Sequence, residues 1–334
     1  MTVLVTGAAG FIGAATAERL LSRGEAVVGV DDFNPYYDVG LKRARTARLQ
    51  RSPGFRLIEL DVADEAALAV LCREVQPATV IHLAAQAGVR HSLDHPFDYE
   101  RANVRGHLSV LEACRHTASP PHLVYASSSS VYGARPVGGA AFREDDPVDA
   151  PASLYAATKR AGELMSGAYA RLYGLRQTGL RFFTVYGPWG RPDMAVWDFT
   201  RRIFADKVLE VFGEGELSRD FTYIDDIVDG VLGVIDRPAD EGEHRLFNIG
   251  DDRPVTVNAL VAELERACGR PARVRRVGMQ PGDVPATHAD IARLHAATGY
   301  RPRVMLAEGL ARFVDWWRAH HDLTGPAPEF RGEG

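Results

Sequence analysis

Val3-Leu4-Val5-Thr6-Gly7-Ala8-Ala9-Gly10-Phe11-Ile12-Gly13 stands near the start of the chain, and its reading decides the fold. Residues 2–6 are an apolar, β-branched run of strand character, and the periodic segment 11–22 reads as a helix. Gly7, Gly10 and Gly13 occupy the turn between them. Glycine there lets the backbone turn tightly and lets its N–H groups approach a pyrophosphate at the helix N-terminus. The spacing Gly-x-x-Gly-x-x-Gly departs by one position from the commoner Gly-x-Gly-x-x-Gly fingerprint, and three spaced glycines alone also suit ordinary turns. Context favours a dinucleotide site. A second apolar run, 26–30, leads into Asp31, where a carboxylate bonds ribose hydroxyls and repels a 2′-phosphate. Asp32 and Phe33 follow it with no arginine to receive that phosphate, so the sequence predicts NAD rather than NADP.

Outward from this stretch, further strands are expected near 55–59, 79–83, 122–126 and 177–182, with helices near 64–74, 97–116 and 153–173. Continuous runs such as Thr79-Val80-Ile81-His82-Leu83 suit strands covered on both faces. The alternation predicts an α/β fold, a doubly wound parallel sheet of Rossmann type, with a smaller C-terminal lobe. Residues 1–183 are assigned to the dinucleotide-binding domain. After them the texture changes, beginning with Gly187-Pro188-Trp189-Gly190-Arg191-Pro192. Residues 184–325 are read as mainly a substrate-binding lobe, some of whose segments return to the large domain. Within it Thr256 caps a helix to about 267, and an amphipathic helix covers 306–320. Residues 326–334 are expected to fray.

Composition excludes several classes of function. The chain has 334 residues, 46% of them hydrophobic and 25% charged, as in an ordinary globular protein. Its 39 Lys and Arg against 44 Asp and Glu leave a formal charge of −5, with no general footprint for nucleic acid. No apolar run approaches the roughly 18 residues of a membrane span, and no signal peptide is read at the N-terminus. The 3 cysteines lack metal-type spacing and do not suggest a disulfide framework. A cytoplasmic protein is expected.

Tyr155 and Lys159 lie one helical turn apart, so their side chains share a face. Leu154, Ala157, Ala161, Leu164, Met165, Ala168 and Leu172 spread over a separate arc, read as the core or partner face. Such a pair often arises by chance, but Ser127-Ser128-Ser129-Ser130 follows the strand His122-Leu123-Val124-Tyr125-Ala126 at the carboxyl end, where open α/β sheets bind ligands. Hydroxyl, tyrosine and lysine behind a dinucleotide loop point to hydride transfer at a carbinol carbon. Tyrosine, with a reference pKa near 10, is a poor base at neutral pH. A cation about 4 Å away contributes roughly 4 kcal/mol toward its ionisation. Lys159 and an oxidised nicotinamide are thus expected to activate Tyr155, with Ser128 bonding the same substrate oxygen.

These motifs resemble those of the extended short-chain dehydrogenases/reductases, in the NAD-dependent nucleotide-sugar epimerase/dehydratase family. The resemblance runs from Val3 to Pro302. Asn34-Pro35-Tyr36-Tyr37-Asp38, Leu41-Lys42-Arg43-Ala44-Arg45, Arg181-Phe182-Phe183-Thr184-Val185-Tyr186 continuing to Asp193-Met194, and Gln280-Pro281-Gly282-Asp283-Val284 are most similar to the UDP-glucuronate 4-epimerases. The resemblance implies a tightly held NAD bound by Gly7, Gly10, Phe11, Ile12, Gly13, Asp31, Asn34, Lys42, Arg43, Asp61, Val62, Leu83, Ala84, Ala85, Asn103, Tyr155 and Lys159. It implies Ser128 and Tyr155 as the acid/base pair. Arg191 is placed by it on a sugar carboxylate and Arg219 on the diphosphate, with Arg90, Ser129, Ser130, Thr184 and Asp283 also on the substrate side. A homodimer through helices 97–116 and 153–173 is implied too. The reaction implied is reversible C4 inversion between UDP-glucuronate and UDP-galacturonate through a 4-keto sugar. That intermediate is a β-keto acid and loses carbon dioxide unless its carboxylate is held, a task suited to the planar fork of Arg191.

A 4,6-dehydratase is disfavoured, because Ser129 and Ser130 stand where those enzymes carry acids. UDP-glucose/UDP-galactose epimerisation, UDP-glucuronate decarboxylation and a non-catalytic NAD-binding role remain alternatives. His91 and His95, with Asp94 and Asp98 nearby, hint at a metal site, but no third histidine or cysteine completes a motif, so no metal is expected. The basic run Lys42, Arg43, Arg45, Arg48 and Arg51 reads as a solvated helix face, or, for its first two residues, as the adenosine side of the cofactor.

Overall fold

Seven parallel strands form the central sheet of the computed structural model, which describes residues 1–135, 137–279 and 284–320. Six come in order from the first part of the chain: β1 (Thr2–Thr6), β2 (Ala26–Asp31), β3 (Phe55–Glu59), β4 (Thr79–His82), β5 (His122–Ser128) and β6 (Gln177–Phe182). Across the sheet they run β3-β2-β1-β4-β5-β6, and a seventh strand, His244–Ile249, pairs with β6. The winding reverses between β1 and β4, the point where such sheets open a ligand cleft at their carboxyl ends. β1 has neighbours on both sides and layers on both faces, so Val3, Leu4 and Val5 at its centre are all apolar. Val3 and Val5 join one core cluster while Leu4 joins the other.

Helix α1 (Phe11–Ser22) and the helix Ile224–Ile235 cover one face of the sheet, and α3 (Glu65–Val75) with the helix Gly106–Arg115 covers the other. Several helix starts are fixed by side chains taking an otherwise unpaired amide, each worth about 1 kcal/mol. Asp64 accepts from Ala67 N at 3.0 Å, Ser153 from Ala156 N at 3.1 Å and Thr256 from Ala259 N at 3.2 Å. The second lobe holds three short strand pairs, among them Thr184–Tyr186 with Phe221–Tyr223. Its helices include Ala195–Phe204, Val257–Cys268 and Leu306–His320, and Trp197, Phe313, Trp316 and Trp317 pack together at its centre. Among the described residues, no helix is long and apolar enough to cross a membrane. Residues 326–334, Gln280-Pro281-Gly282 and Asp283 lie outside the described residues.

Three sequence expectations are corrected. The helix expected over 97–116 is a turn at Pro96–Tyr99, a π-helical stretch at Glu100–Arg105, then the α-helix Gly106–Arg115. The wide turn carries Asn103, whose side chain reaches both the loop after β4 and the catalytic helix. Next, Lys42, Arg43, Arg45 and Arg48 of the basic run lie on α2 (Val39–Leu49), where Lys42 and Arg45 are buried rather than solvated. Of the two readings of the arc beside Tyr155, core or partner face, core does not hold. On the helix Leu154–Tyr173 the buried positions include Ala156, Lys159, Gly162, Glu163, Ser166 and Gly167, while Leu154, Leu164 and Leu172 are exposed. The strand His244–Ile249 and the helix Ile224–Ile235, both within residues 184–325, pack on the large domain's sheet.

Under the carboxyl end of β5 sits a buried ion pair. Arg181 of β6 donates from Nε to Glu163 Oε1 at 2.8 Å and from a terminal nitrogen to Oε2 at 2.9 Å, both side chains being almost fully enclosed. Ser127 donates to the same carboxylate at 2.6 Å, and Arg181 also reaches Tyr132 Oη at 2.8 Å. Burial pushes Glu163 upward, but the guanidinium outweighs it and holds the carboxyl below its usual range. Breaking one side of such a pair leaves an uncompensated charge. Glu163→Gln should therefore lower the unfolding free energy by about 3 kcal/mol in urea titrations; a loss under about 1 kcal/mol would show that the pair is dispensable.

Candidate active site

The residues expected at the cofactor end converge around the first turn. Gly7 has φ +72°, and a Cβ on it would lie 2.7 Å from the Ala84 amide nitrogen, so the loop packs directly on the backbone after β4. A Cβ on Gly13 would meet the Gly7 carbonyl oxygen at 2.0 Å, so only glycine lets α1 start this close to the strand. Thr6 organises the second layer: its hydroxyl bonds Ala84 N at 3.2 Å and His82 Nδ1 at 2.8 Å, and its carbonyl accepts from Leu83 N at 3.1 Å. Gly7, Gly10, Gly13, Phe11, Ile12, Leu83, Ala84 and Ala85 are thus on neighbouring segments. Asp31, at the end of β2, accepts from Ala9 N at 3.0 Å and Phe33 N at 2.9 Å, with Lys42 Nζ 3.8 Å away. Phe33 holds φ +52°, a strained value for a bulky residue, which this clamp imposes.

Three residues carried over from the family are already engaged by the protein. Asn103 accepts from Gln86 N at 2.9 Å and donates to Gln86 O and Thr158 Oγ1 at 2.9 and 3.0 Å, which uses both of its amide hydrogens. It ties the post-β4 loop to the catalytic helix. Asp61 accepts from Ala63 N and from the Arg101 guanidinium, at 2.8 Å and 2.6–2.9 Å. Arg43 lies over the Phe33 ring at 3.7 Å and bonds Glu59 at 3.0 Å. Asn34 caps Tyr36 N at 2.9 Å, and Val62 is buried.

At the reaction end, the Ser128 hydroxyl lies close enough to the Tyr155 phenol to favour its ionised form. Ser128 Oγ accepts from Ser130 N at 3.2 Å and Ser130 Oγ at 3.0 Å. Lys159 donates to Ala126 O at 3.0 Å, which binds the helix to β5 two residues before Ser128. Burial raises Tyr155 above the ordinary phenol value, while the nearby Ser128 hydroxyl and the positive charge of Arg191 work the other way. Lys159 stands one helical turn from Tyr155, and Arg191 adds a positive charge that acts on the phenol. Burial alone lowers Lys159 to about 8.

Arg191 itself is paired. Its Nε donates to Asp193 Oδ1 at 3.0 Å and a terminal nitrogen bonds Oδ2, while Tyr36 Oη donates to the same carboxylate at 3.1 Å. One edge of the fork is therefore held by Asp193. Thr184 N is fixed by Asp220 O at 3.0 Å, and Arg219 donates to Ser218 O at 2.8 Å. Arg90 is exposed and lies over the Phe212 ring of the second lobe at 5.0 Å.

Two functional positions escaped the sequence reading. Arg45 is 1% exposed and donates to the carbonyls of Ala9, Trp189 and Gly190 and to Tyr37 Oη, at 2.6–3.0 Å. One buried cation thus joins the glycine loop to the segment before Arg191; the composition of the run gave no sign that carbonyls from two distant loops meet there. Gln86 is buried with its amide nitrogen unpartnered among the described residues, next to Asn103.

A family model described as the NAD dependent epimerase/dehydratase family matches residues 3–250. The chain belongs to that family. A probable UDP-glucuronate 4-epimerase of Rhizobium meliloti is 45% identical over 96% of this chain and 99% of its own length. UDP-glucuronate 4-epimerase 4 of Arabidopsis thaliana is 46% identical over 96% of this chain and 76% of its own. The crystal structure of the UDP-glucuronic acid 4-epimerase from Bacillus cereus with UDP-glucuronic acid and NAD superposes with a TM-score of 0.89, at 34% identity, covering 96% of this chain and 99% of that one.

NAD is the cofactor of this epimerase/dehydratase family, and the first turn fits it. Gly10 gives α1 no side-chain cap and no acidic residue stands in its first turn, so the helix N-terminus is left for an anion. Asp31, though clamped, keeps acceptor capacity for ribose hydroxyls. The buried Lys159 carries a cost in the NAD-free protein. Its pKa is lower folded than unfolded, so the unfolded chain binds more protons between about 8 and the ordinary lysine value, and stability rises with pH through that window. Lys159→Met should accordingly stabilise NAD-free protein at pH 7 by roughly 1–3 kcal/mol, an advantage that shrinks toward pH 10. Urea melts at both pH values check this; an equal effect at both would overturn it.

Proposed function

We propose that this protein reversibly inverts C4 of UDP-glucuronate to give UDP-galacturonate, acting in the cytoplasm as a homodimer. The observation that carries the reading is the Tyr155 phenol set beside the Ser128 hydroxyl, buried Lys159 and half-buried Arg191, in a chain about 45% identical along nearly its whole length to UDP-glucuronate 4-epimerases. Bound NAD supplies the acceptor and donor for hydride at the sugar carbon. Tyr155 takes the 4-hydroxyl proton and returns it after the sugar has presented its other face. Ser128 holds the reacting oxygen, and Lys159 contributes positive charge from below.

Hydroxyls at Ser129, Ser130 and Thr184 offer neutral donors to the uronate carboxylate. Arg191, fixed by Asp193, brings the charge that keeps the β-keto acid from turning its carboxylate out of the carbonyl plane. Arg219 suits the diphosphate, and Arg90 faces the lobe from the loop after β4. The absence of an acid directly behind Ser128 favours epimerisation over 4,6-dehydration. Exposed Leu154, Leu164 and Leu172 on the catalytic helix, with Leu108 on the helix Gly106–Arg115, supply the apolar face that a second copy would cover.

The test is a proton NMR time course with purified protein, UDP-glucuronate and no added NAD. The UDP-galacturonate anomeric signal should appear without a pentose signal, and Tyr155→Phe should lower kcat at least about 100-fold. Growth of a UDP-pentose signal would favour decarboxylation, turnover of UDP-glucose alone would favour the galactose epimerases, and silence toward both sugars would leave a non-catalytic NAD-binding protein.

A further inference from the structure

We propose that His91, His95 and Asp98 form a binding site for one divalent transition-metal ion of the zinc class, on the rim of the loop that carries Arg90. Their candidate ligand atoms all lie within 4.8 Å of one another, and among the described residues they are the one such trio of histidine, cysteine or acidic side chains. His91 Nε2 and Asp98 Oδ2 are 3.8 Å apart. Around a tetrahedral ion with bonds of about 2.0–2.2 Å, neighbouring ligand atoms stand roughly 3.3 Å apart. Closing the trio therefore needs only small rotations, and His95 and Asp98 are exposed and free to make them.

The sequence reading stopped at two histidines because it sought a third histidine or cysteine. The fold supplies a carboxylate instead. His91 and His95 are separated by one helical turn, the His-x-x-x-His spacing that points two imidazoles to one side. The chain then bends at His95 into the turn Pro96–Tyr99, which brings Asp98 back over them. The two rings stack with centroids 4.2 Å apart and planes 22° from parallel, so their edges lie side by side.

The simpler alternative is a surface ion pair between protonated His91 and Asp98. Such a pair would leave His95, whose ring stacks on that of His91, without a part. The mount is also rigid. His91 packs against the Tyr36 ring at 4.8 Å, while Tyr99 Oη donates to the carbonyls of Gly88 and Ala87 at 2.5 and 3.1 Å. Ser92 Oγ holds Val89 O at 2.6 Å. Three protein ligands leave a position for water, as in open zinc sites. A borderline cation suits this set of two imidazoles and one carboxylate, whereas calcium and magnesium prefer oxygen alone.

The experiment titrates tag-free protein with cobalt(II) chloride, followed by visible absorption, and with zinc sulfate, followed by calorimetry. One equivalent should bind, with d–d bands of a low-coordinate nitrogen/oxygen site. His95→Ala and Asp98→Asn should each weaken it at least tenfold, while His320→Ala, on the far C-terminal helix, leaves it unchanged. Thermal melts matching wild type show that the variants are folded. Absence of a stoichiometric site in wild type, or equal binding by His95→Ala and Asp98→Asn, overturns the proposal.

Discussion

The bond between Arg181 and Glu163 joins three elements that must meet for the site to exist. Arg181 belongs to β6, Glu163 to the helix that carries Tyr155 and Lys159, and the shared acceptor also takes the hydroxyl of Ser127, whose neighbour is Ser128. Two charges taken out of water are costly unless every donor and acceptor is matched. Here they are matched, with Tyr132 and Asn248 extending the network to the seventh strand. A lower-cost apolar contact would hold the helix on the sheet but would not fix its rotation and height. The directional bonds do both, and so set the distance between the phenol and the serine.

A second cation does the same for the other half of the cleft. Among the described residues Arg45 has no carboxylate partner; it is satisfied by carbonyl oxygens from the glycine loop and from the segment leading to Arg191. The cofactor end and the substrate end therefore share one anchor. Trp189 gives up an ordinary backbone conformation to present its carbonyl there, with φ at +63°. Lys159 follows the opposite logic, since its burial serves the chemistry and opposes folding.

Most of the sheet was legible because buried parallel strands are written as uninterrupted apolar runs and their helices as periodic ones. The phosphate loop was legible for a similar reason: Gly7 and Gly13 are demanded by sterics that admit no other residue. The seventh strand was not, because His244-Arg245-Leu246-Phe247 mixes charge with apolar residues and packs at the sheet edge. Lys42 and Arg45 looked solvated because a charge run carries no record of the carbonyls it will meet. Asn103 was rightly singled out, yet its bonds to Gln86 and Thr158 depend on a π turn that periodicity cannot reveal. The pairing of Arg191 with Asp193 was hidden in a Gly/Pro-rich loop, where spacing has no fixed geometric meaning.

The seventh strand also bears on how the chain is made. β6 ends at Phe182, but the strand that covers its open edge begins only at His244. A growing chain thus carries a finished dinucleotide loop and a bare, fully buried-type strand edge while some sixty further residues are synthesised. Exposed edges of this kind invite pairing with other chains, and contacts between distant segments form slowly. The interval between Phe182 and Ile249 is the period in which a nascent molecule is most open to aggregation and most in need of a chaperone. A terminus placed inside that interval, by truncation or by splitting the gene, would leave an otherwise complete cofactor domain sticky rather than soluble.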